Sequence, residues 1–329
     1  MISAQAALNA APSAVGTLLR RGTNWIVQCG TMSDGIKHGK AVANYPGAKA
    51  RLAPWIIDHL PDHNTYVEVF GGTAGVLVHK PESINEVYND GDDDLVNFFR
   101  VLRDRSEELL AWLRRTPYSR SVFEDTLDDY HDDDLGDDPV VRAGRFWFLL
   151  QASFNGKLPS RSGFSTSTSA RGYPSDSQAR NYHRSRERLE KFADRFAAVT
   201  VECLDWRDIV ERYDSATTAF YVDPPYYGVS SQNYYIEGDI DHAALIDTLA
   251  DIEGEAVISY GELPDHPDEW TVLERTKDST LSRGVSEERE CDERLLLTFD
   301  PDHTPIFQSG PQRTLCDVDT GTDGGQSDE

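Results

Sequence analysis

Residues 219–227 read Ala-Phe-Tyr-Val-Asp-Pro-Pro-Tyr-Tyr. The apolar start of this stretch predicts a buried strand, which must end at Pro224 because proline cannot donate a hydrogen bond to a sheet. Asp223 is therefore predicted at the carboxyl edge of a strand, where open α/β sheets bind their ligands. The Asp223 carboxylate, the Pro224 carbonyl and the Tyr226 ring together suit a planar base with an exocyclic amine. The alternative is a strand that ends in an ordinary Asp-Pro turn.

The composition indicates a globular protein with a strongly acidic surface. The 329 residues carry 57 acidic and 32 basic side chains, which gives a formal net charge of -25. Asp outnumbers Glu and Arg outnumbers Lys, a balance typical of salt-adapted proteins such as those of a halophilic archaeon or its virus. At molar salt the Debye length is about 3 Å, so this acidity does not exclude a polyanionic partner.

Hydropathy and cysteine spacing give no sign of a membrane span, a disulfide or a cysteine metal site. No apolar run approaches the length of a membrane span, and the four cysteines show no paired spacing of a disulfide or metal site. We therefore expect a metal-free protein of the reducing cytoplasm.

The two ends of the chain differ from the rest. Residues 1–31 contain no Asp, Glu or Lys, so we expect residues 1–41 to be a leader. It is either disordered or not translated, with Met32 as the alternative start. Residues 311–329 are rich in Gly and Asp, which predicts a disordered acidic tail.

Two further segments predict strands that end in ligand-binding residues. Residues 66–77 predict a strand, a glycine-rich turn and a short helix, and the glycines allow the close backbone approach that a nucleoside cofactor requires. The turn lacks the Gly-Lys-Ser/Thr ending of a phosphate-binding loop. Residues 86–90 predict a second strand ending in Asp90, about twenty residues after the glycines, where an acid commonly binds ribose hydroxyls. The alternative is a capping aspartate, since one of Asp92 to Asp94 can be the N-cap of the helix that follows.

A shorter motif precedes these strands. Residues 44–49 read Asn-Tyr-Pro-Gly-Ala-Lys and lead into a predicted helix at residues 51–60. A glycine turn with a lysine before a helix can bind an anion or a carboxylate. A plain loop is the alternative.

The middle of the chain predicts helices separated by polar segments. Residues 124–138 hold nine acids, which is more typical of a surface loop than of a metal site. Residues 145–150 predict a buried helix, and residues 159–177 a flexible loop. A basic cluster follows, which consists of Arg180, His183, Arg184, Arg186, Arg188, Lys191 and Arg195. It indicates either phosphate contacts or a solvated helix with internal acidic partners.

Five motifs occur in a fixed order along the chain. They are Tyr-Pro-Gly-Ala-Lys at 45–49, Glu-x-Phe-Gly-Gly at 68–72, Asn-Asp at 89–90, Ser-Phe-Asn-Gly at 153–156 and Asp-Pro-Pro-Tyr at 223–226. In this order they resemble the Dam-like DNA adenine-N6 methyltransferases over residues 44–300. The resemblance implies an α/β, Rossmann-like, S-adenosylmethionine-dependent methyltransferase fold with an inserted, mostly helical target-recognition lobe. It implies a catalytic domain at 42–113 and 196–310 and the lobe at 114–195.

The resemblance also implies site residues. For the cofactor, the implied residues are Tyr45, Lys49, Glu68, Phe70, Gly72, Asp90 and Asp223. At the position of Tyr45 the family usually has Trp. Those for catalysis are Asp223, Pro224 and Tyr226. Those for DNA are Phe154 and Asn155, to which we add Arg161 and, from the basic cluster, Arg184, Arg186 and Arg188. Two positions depart from the family: Ala74 replaces a usual glycine, and Pro159 replaces the base-reading arginine of relatives that recognise GATC. The target sequence is therefore left open.

The implied activity is site-specific methyl transfer from S-adenosylmethionine to the N6 amine of an adenine flipped out of double-stranded DNA. Asp223 and the Pro224 carbonyl would accept hydrogen bonds from the amine, and Tyr226 would stack on the base. One alternative is methylation of cytosine N4, which uses the same geometry. Another is a DNA-binding relative without catalysis, against which the intact Asp90 and Asp223 argue. The sequence carries no signal for or against a restriction endonuclease partner.

We predict that activity needs or tolerates molar salt, because at low ionic strength the acidic surface repels DNA. The usual fall of DNA affinity with rising salt should be blunted or reversed. Fluorescence anisotropy of a labelled duplex, titrated across salt concentrations, measures this. A steep loss of binding between low and molar salt would contradict the prediction.

Overall fold

The computed structural model describes residues 40–45, 47–154, 163–166, 177–225, 240–275 and 293–302, and the backbone of residues 17–21 and 24–28. The strands of these residues are β1 Thr17–Arg21, β2 Asn24–Gln28, β3 Thr65–Glu68, β4 Asn85–Asn89, β5 Thr200–Glu202, β6 Thr218–Val222, β7 Glu255–Tyr260, β8 Thr271–Arg275 and β9 Glu293–Leu297. The helices are α1 Ala53–Ile57, α2 Asp93–Asp104, α3 Ser106–Arg115, α4 Arg120–His131, α5 Pro139–Ala152, α6 Gln178–Phe196, α7 Trp206–Tyr213 and α8 His242–Ala250. In this part of the chain no helix is long and apolar enough to cross a membrane.

A seven-stranded sheet organises the structure in the order β5-β4-β3-β6-β7-β9-β8. The first five strands are parallel, and β9 runs antiparallel to both β7 and β8. After β3 the chain moves outward through β4 and β5, whereas after β6 it moves in the opposite direction to β7. The crevice between the ends of β3 and β6 is therefore the topological switch point at which such sheets bind ligands. The predicted α/β, Rossmann-like methyltransferase fold is confirmed.

Both faces of the sheet are covered, which explains why the central strands are apolar without interruption. All five residues of β6 are buried. Tyr221 packs into a core on one face, together with residues of α2, α5 and α6. Phe220 and Val222 pack into a second core on the other face, with α7 and α8. This alternation is the period of two that a strand imposes on its side chains.

The segment predicted as an acidic surface loop is partly helical, so that prediction is wrong for its first half. Helix α4 extends to His131 and thus includes residues 124–131. The reason is an apolar stripe within the acids: Phe123 and Leu127 lie one helical turn apart and are both buried. The acidic side chains occupy the outer face, and the segment ends where Asp138 caps α5 by accepting hydrogen bonds from two backbone amides.

The short helix predicted after the glycine-rich turn is also not formed. Residues 71–80 are a succession of turns. The backbone torsion φ is +50° at Gly72 and +53° at Ala74, and this left-handed region interrupts a right-handed helix. Ala74 occupies the position where the related family has glycine, and the conformation that favours glycine is retained there at a cost of about 1 kcal/mol.

The predicted leader and tail are only partly covered by the described residues. Strands β1 and β2 pair with each other as an antiparallel hairpin and form a sheet of their own. Met32 and residues 311–329 lie outside the described residues. The domain boundaries stay a prediction.

A buried ionic cluster, Glu86 with Lys80 and Arg195, joins α6 to the amino end of β4. The Lys80 Nζ and the Arg195 Nη1 each lie 2.5 Å from a Glu86 carboxylate oxygen. The Arg195 Nη2 also donates to the Leu77 carbonyl at 2.7 Å. Burial alone would raise the pKa of Glu86, but the hydrogen bonds and charges of Arg195 and Lys80 hold that pKa below its ordinary value. Arg195 is 4% exposed, so this member of the basic cluster is structural and cannot contact phosphate.

We predict that Arg195→Met lowers the free energy of unfolding by about 3 to 5 kcal/mol, because it leaves the Glu86 charge buried with half of its partners removed. Urea denaturation followed by circular dichroism measures the change. Arg184→Met is the matched control, since Arg184 is exposed on the same helix, and it should change stability by less than about 0.5 kcal/mol. Equal stabilities of the two variants would show that the ionic cluster contributes nothing.

Candidate active site

A cavity of about 610 Å³ lies at the carboxyl edge of the parallel strands. Its walls are the segments that follow β3, β4, β5 and β6, because parallel strands all end at the same edge of a sheet. The lining segments include residues 68–73, 89–94 and 204–207, together with Tyr221, Asp223 and Pro225. The edge predicted for ligand binding therefore carries a cavity of the size that small-molecule cofactors occupy.

The structure brings all the predicted cofactor residues together around this cavity. Its lining includes Tyr45, Lys49, Glu68, Phe70, Gly72, Asp90 and Asp223. Pro224 is buried beside the cavity. Tyr226, Asn155 and Arg161 lie outside the described residues. The proximity agrees with a shared site, and the role of each residue stays a prediction.

The glycine turn is fixed by hydrogen bonds to β4. The Gly72 amide donates to Asp90 Oδ2 at 2.8 Å, and the Tyr88 hydroxyl donates to the Gly72 carbonyl at 2.7 Å. A Cβ at Gly71 would lie 2.2 Å from the Tyr88 ring, so only glycine fits there. The turn and Asp90, separated by 18 residues in the chain, thus form one rigid wall of the cavity.

Asp92, and not Asp90, is the helix cap. The Asp92 carboxylate accepts hydrogen bonds from the amides of Asp94 and Leu95, the start of α2. Burial, and secondly the neighbouring Asp90, raises the pKa of Asp92 to about 7. The capping interpretation is therefore confirmed for Asp92, and the binding of ribose hydroxyls by Asp90 stays a prediction.

Glu68 anchors the turn from the end of β3. Its Oε1 accepts hydrogen bonds from the amides of Val76 and Leu77 and from the Tyr66 hydroxyl. Its Oε2 is buried and accepts no hydrogen bond from the described residues. Burial raises the pKa of Glu68 to about 8. A buried carboxyl oxygen in the cavity wall without a protein partner is a candidate contact for a ligand.

Asp223 forms a buried ion pair with Lys49. The Lys49 Nζ lies 2.6 Å from Asp223 Oδ1, and the two side chains are 5% and 18% exposed. Burial raises the pKa of Asp223, while the charge and hydrogen bond of Lys49 lower it. Lys49 belongs to a short 3-10 helix, Lys49–Arg51. Lys49 thus pairs with a carboxylate of the protein itself, and the predicted binding of a ligand's anion or carboxylate at this turn stays a prediction.

Sequence reasoning missed the wall that follows β5. Leu204, Asp205, Trp206 and Arg207 line the cavity there. The Leu204 amide donates to the Asn89 side chain at 2.9 Å, which joins this segment to the end of β4. Strand β5 has only three residues, a weak signal. Its position as a parallel strand next to β4 is what brings its end into the site.

The cavity is rich in carboxylates. Asp90 and Asp223 line it, together with the carboxyl groups of Glu68 and Asp92, whose pKa values are raised by burial, and Lys49 is paired with Asp223. Opposite charges attract more strongly in a poorly solvated site than in water. The cavity therefore suits a ligand that carries positive charge.

We predict that Glu68 makes the ligand-free protein less stable as pH rises towards about 8. A carboxyl whose folded pKa is raised binds its proton more tightly when folded, so its stabilisation is complete below about pH 4.5 and is lost as pH rises through about 8. Glu68→Gln should remove this part of the pH dependence, which amounts to at most about 1.4 kcal/mol per pH unit. Melting temperatures between pH 5 and 8 measure it, with Glu82→Gln, at an exposed position, as the control. Parallel pH curves for the wild type and Glu68→Gln would contradict the prediction.

Several solved methyltransferase structures are similar to this chain. One is a putative methyltransferase, yhhF, from Escherichia coli, with 10% identity and a TM-score of 0.31, which covers 78% of this chain and 89% of that chain. Another is the rRNA methyltransferase aviRa from Streptomyces viridochromogenes, with 16% identity and a TM-score of 0.32, which covers 77% and 86%. Independently of these similarities, the order and direction of the strands define the fold. None of the curated proteins matches the chain.

A family model matches residues 45–259, which is more than half of the chain. The matched segment includes every predicted cofactor residue, from Tyr45 to Asp223, and so includes the cavity wall that they form. Membership implies S-adenosylmethionine as the methyl donor. The chain belongs to the D12 class N6 adenine-specific DNA methyltransferase family.

Proposed function

We propose that this family member methylates the N6 amine of an adenine flipped out of double-stranded DNA, with Asp223 as the residue that orients the amine. The observation that supports this most directly is the position of Asp223. It lies at the switch point of the sheet, in the same cavity as the glycine turn and Asp90. A cofactor held by the turn and a base held at Asp223 would therefore meet within one site.

The cavity residues fit S-adenosylmethionine. The cofactor carries a sulfonium and an ammonium cation, and the cavity presents the carboxylates of Asp90 and Asp223. It also presents the carboxyl group of Glu68, whose Oε2 has no hydrogen-bond partner among the described residues. We propose that Asp90 accepts hydrogen bonds from the ribose hydroxyls. The rings of Tyr45 and Phe70 supply apolar surface for the cofactor's flat base. When bound, S-adenosylmethionine supplies the electrophilic methyl group.

Asp223 would act by orienting the target amine. A base inside the duplex cannot reach the cavity, so the adenine must leave the stack at a cost of a few kcal/mol. The Asp223 carboxylate and the Pro224 carbonyl would accept hydrogen bonds from the amine, which directs the nitrogen lone pair towards the methyl donor. Asp223 also stabilises the positive charge that develops on nitrogen during transfer. Tyr226 follows directly in the chain, and its stacking on the base stays a prediction.

The residues predicted to contact DNA differ in their exposure to solvent. Phe154 is 63% exposed at the end of α5, next to the segment that holds Asn155 and Arg161. Arg184 is exposed on α6. Phe154 and Arg184 are therefore accessible to DNA.

Arg186 and Arg188 are held by internal contacts. The Arg186 Nη1 donates to the Leu113 carbonyl at 2.8 Å, and its guanidinium lies over the Tyr182 ring. Arg188 donates to Ser185, and burial lowers the pKa of its guanidinium. Of the three predicted arginines, Arg184 is the best placed to bind phosphate, and we propose that Arg186 and Arg188 chiefly hold α6 in its lobe.

The salt adaptation, the cytoplasmic location and the question of a restriction endonuclease partner stay as the sequence left them. They depend on composition and on nothing in the site.

Mass analysis of nucleosides from DNA incubated with the protein and cofactor tests the proposed function itself. N6-methyladenine is the expected product, and N4-methylcytosine, or no methylated nucleoside, would contradict it.

We predict opposite effects for two carboxylates in the cavity. Asp223→Ala should reduce methyl transfer by about a hundredfold or more, because it removes the acceptor that orients the amine, and should leave cofactor binding largely intact. Asp90→Ala should weaken cofactor binding first, because it removes both the ribose contact and the anchor of Gly72. Calorimetry with the cofactor and transfer assays with labelled cofactor measure the two effects. Undiminished transfer by Asp223→Ala would show that the central residue is misassigned.

A second pair of variants separates phosphate contact from packing. Arg184→Gln should weaken binding to target and non-target duplexes equally and reduce the slope of log affinity against log salt by about 1, since phosphate contacts carry no sequence information. Arg186→Gln should instead lower the free energy of unfolding by about 1.5 to 3 kcal/mol, because it removes a charged hydrogen bond. Affinity unchanged in Arg184→Gln would remove α6 from the proposed DNA interface.

A further inference from the structure

Glu293 begins strand β9 at the edge of the sheet where the site lies. Strand β9 is antiparallel to β7, with Arg294 opposite Tyr260. Its amino end therefore meets the carboxyl ends of the parallel strands. Glu293 lies outside the segment that matches the family model, residues 45–259.

Glu293 shares Lys49 with Asp223. The Lys49 Nζ is 3.7 Å from Glu293 Oε1 and 2.6 Å from Asp223 Oδ1. The Glu293 side chain is 7% exposed and that of Lys49 is 5% exposed. Two carboxylates from distant parts of the chain thus face one buried ammonium group.

The shared lysine couples the two carboxylates electrostatically. Attraction falls with distance, so the nearer Asp223 is the more tightly bound of the two. The negative charge of Glu293 opposes part of the lysine's effect at Asp223. It also restrains Lys49 from a second direction, so the position of the ammonium group does not depend on Asp223 alone.

We propose that Glu293 is a positioning residue for methyl transfer, which acts through Lys49 to set how strongly Asp223 accepts the hydrogen bond of the target amine. This inference depends on the role proposed for Asp223. Without Glu293, the charge of Lys49 acts on Asp223 alone and competes more strongly with the amine. A residue that only held β9 in the sheet would affect stability and leave the reactivity of Asp223 unchanged.

The titratable groups that the described residues place around this cluster are few. They are Lys49 from the 3-10 helix, Tyr221 from β6, Glu293 from β9 and, in the same cavity wall, Glu68 from β3. Burial raises the pKa of Tyr221 well above its ordinary value, and its hydroxyl is hydrogen-bonded to Ser259 at 2.9 Å. Tyr221 therefore stays neutral. Glu68 is unchanged in all the variants below, so it contributes equally to each comparison.

The test is the pH dependence of single-turnover methyl transfer to duplex DNA. In Glu293→Gln the acid limb should move to lower pH by about half a unit or more, because loss of a neighbouring negative charge favours the ionised form of Asp223. The rate at neutral pH should fall about tenfold, with the cofactor affinity unchanged. Lys49→Met should move the acid limb in the opposite direction, to higher pH.

The matched control is Glu274→Gln. Glu274 lies on β8, at the same antiparallel side of the sheet, and its exposed carboxylate binds Arg294 at 2.9 Å. Removal of the Glu274 carboxylate should leave the pH profile of methyl transfer the same as that of the wild type. Glu293→Asp keeps the charge but withdraws it by one methylene, so it should give a smaller shift in the same direction as Glu293→Gln.

A wild-type acid limb and rate in Glu293→Gln would overturn the inference. Should that variant not fold, a wild-type profile in Glu293→Asp would overturn it equally. The double variant of Glu293→Gln and Lys49→Met gives a further test. If its loss of transfer rate equals the full sum of the two single losses, the inference is overturned, since the effects of residues that act through one another are not additive. Undiminished transfer by Asp223→Ala would refute the proposed function instead, so the two failures are distinguishable.

Discussion

The ion pair between Lys49 and Asp223 is the contact on which the site depends. It joins residues 174 positions apart and lies almost out of solvent. A buried charge is costly unless it is paired, so Lys49 requires a carboxylate beside it, and Asp223 is the nearer of its two partners. The segment that precedes the sheet is thereby held against the end of β6. The cavity exists because this segment closes one side of the switch point.

The acidic cavity and the buried ionic cluster mark opposite ends of the sheet. At the carboxyl ends, several carboxylates face a cavity that suits a cation. At the amino end of β4, Glu86 is neutralised by Lys80 and Arg195. Both sites bury charge, but at the first the buried Glu68 Oε2 accepts no hydrogen bond from the described residues. The two buried carboxyl groups therefore differ: Glu68 keeps an oxygen that a ligand can contact, whereas both oxygens of Glu86 are bound by Lys80 and Arg195.

Much of the fold and of the site was predictable from the sequence. Apolar runs that stop at proline, glycine or an acid predict strands. Because parallel strands end at one edge of a sheet, these patterns predict that Asp223, Asp90 and the glycine turn lie close together. They do, around one cavity. Local patterns were less informative where two signals competed. The acids at 124–138 concealed the buried Phe123 and Leu127 of α4, and the positive φ of Gly72 and Ala74 prevented a predicted helix.

From the sequence alone came the class of fold, the edge of the sheet that binds and the residues that follow β3, β4 and β6, because these depend on local pattern and on the geometry of parallel pairing. Which charged side chains meet depends instead on tertiary contacts. Arg195 looked like its basic neighbours but is buried against Glu86. Glu293 stands at the beginning of a strand, where sequence reasoning expects no ligand-binding residue. Its strand is reversed by antiparallel pairing, and this reversal, which no local pattern encodes, brings Glu293 to Lys49.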